Sequence, residues 1–181
     1  MRLTRTIMLA ATAVALAACD KQGEQATSPA AKEAAGDETL AKGIAPDSKM
    51  GGALKAAGLD ATLGGPGPYT VLAPDDAAFG KMPAGALDTL MKPEARADLT
   101  ALLTYHILPG TILAEDIGKA IDTGKGKAVL ATMGGGTLTA TREGNAIVLA
   151  DAAGGKARIT KADDKRSNGV VHHLDGVLMP S

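Results

Sequence analysis

The chain has 181 residues and a formal net charge of −1, from 19 basic and 20 acidic side chains. That balance, with no basic stripe, argues against a nucleic-acid partner, and one Phe, two Tyr and no Trp leave few stacking platforms for bases or sugar rings. The single Cys rules out an intrachain disulfide framework, so the fold must rest on its apolar core.

Arg2 and Arg5 precede an apolar run, Ile7 to Leu16, that is shorter than the roughly 20 residues a membrane span requires. The run closes on Leu16-Ala17-Ala18-Cys19, which resembles the lipobox of bacterial lipoproteins. The resemblance implies that residues 1–18 are a lipoprotein signal peptide cut before Cys19. It also implies that Cys19 carries a thioether-linked diacylglycerol and that its new amine takes a further acyl chain such as palmitate. Two or three chains exceed the threshold for stable anchoring, so an exported, envelope-tethered protein that does not span the membrane is expected. Asp20 resembles a retention signal of enterobacterial lipoproteins, which favours the periplasmic face of the inner membrane over the outer membrane or the cell surface. Without Arg2 and Arg5 the formal charge moves from −1 to −3. Residues 19–38 are polar, rich in Ala and charge, and lack an apolar period, which predicts a flexible tether carrying Cys19. Residues 39–181 form a comfortable single domain without internal repeats.

Within that domain, Ser48 predicts a helix cap, with Met50, Leu54 and Ala57 on one face and Gly58 as the stop. Gly64-Gly-Pro-Gly-Pro68 is a break before a strand at Tyr69 to Ala73, and Asp75 or Asp76 caps a short helix carrying Phe79. Ala84 to Met91 has helical spacing, with Leu87, Leu90 and Met91 on one side. Pro93 suits the first turn of a helix whose apolar face is Leu99, Leu102 and Leu103, and Ile107 to Gly110 ends that unit in a turn. From about Lys127 short strands follow, at Val129–Thr132, Thr137–Arg142, Ala146–Ala150 and Ala157–Thr160, separated by Gly-rich hairpin signals. Asn168-Gly169 is a turn into a long, largely buried strand that Pro180 stops. Helices first and strands later predict an α+β domain.

Three segments, in order, resemble the fasciclin domain. Tyr69 to Phe79 looks like its first signature box, Leu102 to Gly110 like its central Tyr-His segment, and Ser167 to Pro180 like its second box. Ala53 to Leu63 is similar to its opening helix, and the resemblance covers roughly residues 39–181. It implies a compact β wedge or sandwich, two small sheets with several helices packed on one side. It also marks Asn168, Gly169, His172 and Asp175 as structural signature positions. Binding in animal matrix members has been assigned to the Tyr-His segment and to an Asp-aliphatic pair before the second box. Tyr105, His106 and Asp163 are therefore the candidate binding residues here. Asp163 is followed by Asp164 rather than an aliphatic residue, so integrin recognition is not carried over.

No catalytic residues are assigned: the chain has no G-x-S-x-G elbow, P-loop or zinc-helix motif, and no cofactor or metal is expected. His172 and His173 are neighbours on a predicted strand and point to opposite faces, so they do not share a metal simply. His106 and His172 read as structural, bonded to backbone or to a carboxylate such as Asp175, and Tyr105 reads as a half-buried support for the helix–strand junction. Asp75-Asp76 and Asp163-Asp164 read as caps or solvated turns. The expectation is a non-enzymatic, lipid-anchored envelope protein. Its single domain would mediate cell adhesion or association with an envelope protein, a polysaccharide or extracellular matrix. The alternative is a periplasmic carrier of an apolar molecule, carotenoid-like or lipid.

Overall fold

The computed structural model describes residues 37–180. The expected signal peptide, Cys19, Asp20 and nearly all of the tether lie outside the described residues.

Tyr69-Thr-Val-Leu-Ala-Pro74 is β-branched and aliphatic, and it forms β1 (Tyr69–Pro74), buried at every position but the first. A strand with apolar side chains on both faces needs cover on both. The helices that cover one face come mostly before and just after it: α1 (Leu40–Gly43), α2 (Lys49–Ala57), α3 (Asp60–Gly64), α4 (Asp76–Gly80), α5 (Ala86–Leu90) and α6 (Arg96–Tyr105). Val71 and Ala73 join Met50, Leu54, Leu63, Phe79, Leu99 and Leu103 in this core. Leu72 faces a second core with Tyr105, Leu108, Leu138, Leu149 and Leu174, closed by Ile117 and Ile121 of α7 (Ala114–Thr123).

The sheet has seven strands in the order β2-β1-β7-β6-β5-β4-β3. They are β1, β2 (Ile107–Pro109), β3 (Lys127–Ala131), β4 (Thr137–Glu143), β5 (Ala146–Ala150), β6 (Lys156–Arg166) and β7 (Gly169–Leu174). All neighbours are antiparallel except β1 and β7, which run parallel with Val71 opposite Val171. The two small sheets implied by the resemblance are joined by β6. Its first residues pair with β5 and its remainder with β7, across register shifts at Ile159/Lys161 and Lys161/Asp164. Such bulges bend a strand and let it serve both halves. The edges then approach each other, and the Met133 amide donates to the Ile107 carbonyl at 2.8 Å.

Local signals account for the helix ends. The Ser48 hydroxyl accepts from the Gly51 amide at 3.0 Å, and Gly58 stops α2 at φ 77°, the left-handed conformation that glycine adopts without a Cβ penalty. Asp75 caps α4 by accepting from the Ala78 amide, while Asp76 accepts from the Lys49 amide at 2.9 Å and ties α4 to α2. Ser48→Ala is expected to cost about 1 kcal/mol, read as a lower urea midpoint with an unchanged slope.

Several expectations are corrected. Ile107 to Pro109 is a strand, not a turn, because β1 offers it a free edge. Pro93 opens a short 3-10 turn (Pro93–Ala95) ahead of α6, and Met91 stays exposed beside a helix that begins only at Ala86. The strand expected at Ala157–Thr160 runs on to Arg166, which places Asp163-Asp164 inside a bulged strand instead of a solvated turn. The strand after Asn168-Gly169 ends at Leu174, well short of Pro180. There Asp175 turns its carboxylate back to accept from the Arg158 amide at 2.7 Å.

Candidate functional site

The expected site residues fall into three groups, held by different parts of the sheet. Tyr105 and His106 sit where α6 enters β2, and both are buried, at 2% and 1% exposure. The Tyr105 hydroxyl donates to the Thr137 carbonyl at 2.9 Å, while the ring packs under Gly136 of the β3–β4 turn. Burial pushes the Tyr105 phenol above its ordinary value. His106 Nδ1 donates to the Leu102 carbonyl at 2.9 Å, and Nε2 accepts from the Leu178 amide at 3.1 Å. Both nitrogens are occupied in the neutral tautomer, and burial lowers the His106 pKa to about 4 despite the Leu102 hydrogen bond.

These positions correct the reading of Tyr105 and His106 as a contact surface. An aromatic ring and an imidazole sealed in the core cannot touch a partner, and Tyr105 is fully buried rather than half-buried. Tyr105→Phe removes only the bond to Thr137 and is expected to cost about 1 kcal/mol in urea unfolding; Tyr105→Ala, which opens a cavity, is expected to cost about 4 kcal/mol.

His172 occupies the interior of β7 at 0% exposure, and His173 faces outward. His172 Nε2 donates to the Ile112 carbonyl at 2.8 Å, and Nδ1 accepts from the Asp163 amide at 3.2 Å. Burial lowers its pKa too. Asp163, partly exposed and at φ 57° in the β6 bulge, accepts from the Ala114 amide at 2.9 Å and so fixes the start of α7. Of the three binding candidates, Asp163 alone reaches solvent. Beside it, the Asp164 carboxylate meets Arg166 at 2.9 Å, Lys161 at 3.5 Å and His173 at 3.6 Å. Burial on its own would raise the Asp164 carboxyl, but the hydrogen bond and charge of Arg166, the charge of Lys161 and the His173 hydrogen bond outweigh it and hold it below the usual range.

Asn168 is the third group. Its amide oxygen accepts from the Leu40 amide at 2.8 Å, and its amide nitrogen donates to the Leu63 and Gly65 carbonyls at 2.8 and 2.7 Å. One side chain thus ties the ends of α1 and α3 to the β6–β7 turn. Gly169 lies so close to the Tyr69 carbonyl and Leu40 Cδ1 that a Cβ there would overlap both.

Two structural residues had signals that could have found them. Asp151, buried at the end of β5, accepts from the Gly155 amide at 2.7 Å and the Met179 amide at 2.9 Å; the Asp-Ala-Ala-Gly-Gly sequence is a side-chain-stabilised turn of ordinary type. The Thr70 hydroxyl donates to Gly110 and accepts from Ile112, holding the loop that leads into α7. Among the described residues, no cluster of three or more His, Cys, Asp or Glu side chains is placed to hold a metal, and no helix is long and apolar enough to cross a membrane.

Comparison with known proteins agrees with this architecture. The fold is similar to that of a FAS1 domain pair from the insect cell adhesion molecule fasciclin I, with a TM-score of 0.67 at 17% identity, covering 77% of this chain and 50% of that one. In sequence, the chain is 36% identical over 148 residues to Protein sll1483 of Synechocystis sp., covering 81% of this chain and 71% of that protein. It is 36% identical over 129 residues to transforming growth factor-beta-induced protein ig-h3 of Sus scrofa, 71% of this chain but 17% of that longer protein. It is 34% identical over 115 residues to immunogenic protein MPB70 of Mycobacterium bovis, 63% of this chain and 51% of that protein. The fasciclin-domain family model matches residues 47–180, well over half of the sequence. The chain belongs to the fasciclin domain family.

Proposed function

We propose that this protein is an exported, lipid-anchored envelope protein whose single fasciclin domain mediates adhesion or protein–protein association and performs no catalysis. The observation that carries the reading is the fasciclin match across residues 47–180, in a fold shared with a domain pair from an insect cell adhesion molecule. The inward placement of His106 and His172, with every ring nitrogen bonded to backbone, supports a binding role over a proton-transfer role. Asp163, whose side chain is 36% exposed, is the position most suited to meet a polar partner, while the neighbouring Asp164 and Arg166 are largely buried against each other. The lipobox-like segment ending at Cys19 supplies the anchor, and a tether of about 20 residues lets the domain sample roughly 25 Å around it.

Cys19→Ser is expected to move the protein from the membrane pellet to the soluble fraction and to abolish an acyl mass shift on the mature N-terminal peptide. Beads displaying the protein are expected to retain host cells or a defined envelope component, and Asp163→Lys is expected to reduce that retention. Beads that retain nothing would overturn the association role. An N-terminal Cys19 peptide without acyl groups in the membrane-bound wild type would overturn the anchor without touching the association role.

A further inference from the structure

Between the α4–α5 segment and the stretch that follows β7 lies a cleft of about 860 Å³, within the size range of small-molecule sites. Its apolar lining includes Met82, Leu90, Val177 and Met179. Its charged lining is Lys81 and Lys156, with no Asp or Glu, in a chain whose net charge is negative.

The wall carrying Val177 and Met179 is fixed. The Leu178 amide is held by His106 Nε2 and the Met179 amide by the Asp151 carboxylate. Lys81 uses one ammonium hydrogen on the Asp175 carbonyl and keeps two for another acceptor. Lys156 meets Glu143 at 3.4 Å, an exposed pair that an incoming anion can displace at little cost.

We propose that this cleft binds a single-chain alkyl carboxylate, the chemical class of a free fatty acid. The chain would lie along Met82, Leu90, Val177 and Met179, and the carboxylate would meet Lys81 and Lys156. Methionine suits such a lining because its unbranched thioether adapts to a flexible chain. The two lysines give the site its sign: a neutral polyene or alcohol would fill the apolar part and leave both ammonium groups unanswered. This site is independent of the association role.

The test is calorimetric titration of the purified full chain, after detergent removal, with octanoate, decanoate and dodecanoate below their micelle concentrations, and with dodecanol. One molecule per chain is expected, with affinity rising roughly fourfold for each methylene added. Lys81→Gln with Lys156→Gln is expected to weaken dodecanoate about tenfold and to leave dodecanol unchanged. Ala84→Trp, at an exposed lining position, is expected to block both ligands while preserving the circular dichroism spectrum. If that variant misfolds, Thr89→Trp, also at an exposed lining position, repeats the block. No binding of dodecanoate at millimolar concentration would overturn the proposal. Equal binding of dodecanol and dodecanoate would overturn the carboxylate assignment, and undiminished binding in the Trp variants would place the ligand elsewhere.

Discussion

Asn168→Ala is expected to lower the unfolding free energy by about 3 kcal/mol and the melting temperature by roughly 10 °C. The replacement strips partners from the Leu40 amide and from the Leu63 and Gly65 carbonyls, all of which sit against the helical core. Each unsatisfied backbone group in such a place costs on the order of 1 kcal/mol or more. Asn168→Asp sharpens the test, because it keeps the shape and the acceptor for Leu40 but turns the donor into a second acceptor. A carboxylate facing two carbonyls should destabilise the fold at least as much as Ala at pH 7 and recover in part when protonated. If Asn168→Asp matched the wild type at neutral pH, the three-way tie would carry none of the stability assigned to it.

Lowering the pH from 7 to 4 is expected to cost about 3 kcal/mol through His106 alone, with His172 adding in the same direction. Each imidazole is folded in its neutral form, so its folded pKa lies below its unfolded value, to about 4 for His106. Between pH 6.5 and 4 the unfolded chain therefore binds more protons than the folded one. Stability is fully present above about pH 6.5 and declines as the pH falls toward the folded value. Urea midpoints measured across this window at constant salt should fall steadily. His106→Asn, which can keep a donor toward Leu102, should be less stable at pH 7.5 but show a shallower decline. An unchanged slope in that variant would mean that His106 does not titrate as its burial requires.

Much of the fold was legible where local chemistry and tertiary packing agree. Ala146 to Ala150 is an apolar run between Gly144-Asn145 and Asp151, and it is a strand over that span. Ser48 and Gly58 delimit α2 because a cap and a left-handed stop are local devices. Lys161-Ala-Asp-Asp-Lys-Arg166 has no alternation; it becomes strand because the buried Val170 and Val171 on β7 need an antiparallel neighbour. Helix α7 carries Ile117 and Ile121 one turn apart, a helical signal overshadowed by the turn signals around it. The candidate site was less legible for a related reason. Tyr105, His106 and His172 each have one partner far along the chain, the Thr137 carbonyl, the Leu178 amide and the Ile112 carbonyl, and a backbone group leaves no mark in a sequence. Asn168 was readable as a turn residue, yet its bonds to Leu63 and Gly65 span more than a hundred positions.

The place of β7 in the sheet has a consequence for when the protein can fold. β1 is separated from β6 by β7, so positions 71 and 171 must meet before the two halves of the sheet join. While the chain is being made, β1 and β2 have only each other, and a pair of short strands is marginal in water. The nascent polypeptide therefore reaches the Ser167–Leu174 segment without a finished sheet, and native pairings of such long sequence separation form slowly. A chain that cannot close early stays threadable. The last strand therefore acts as the latch of the domain, because its arrival between β1 and β6 is what turns two partial sheets into one.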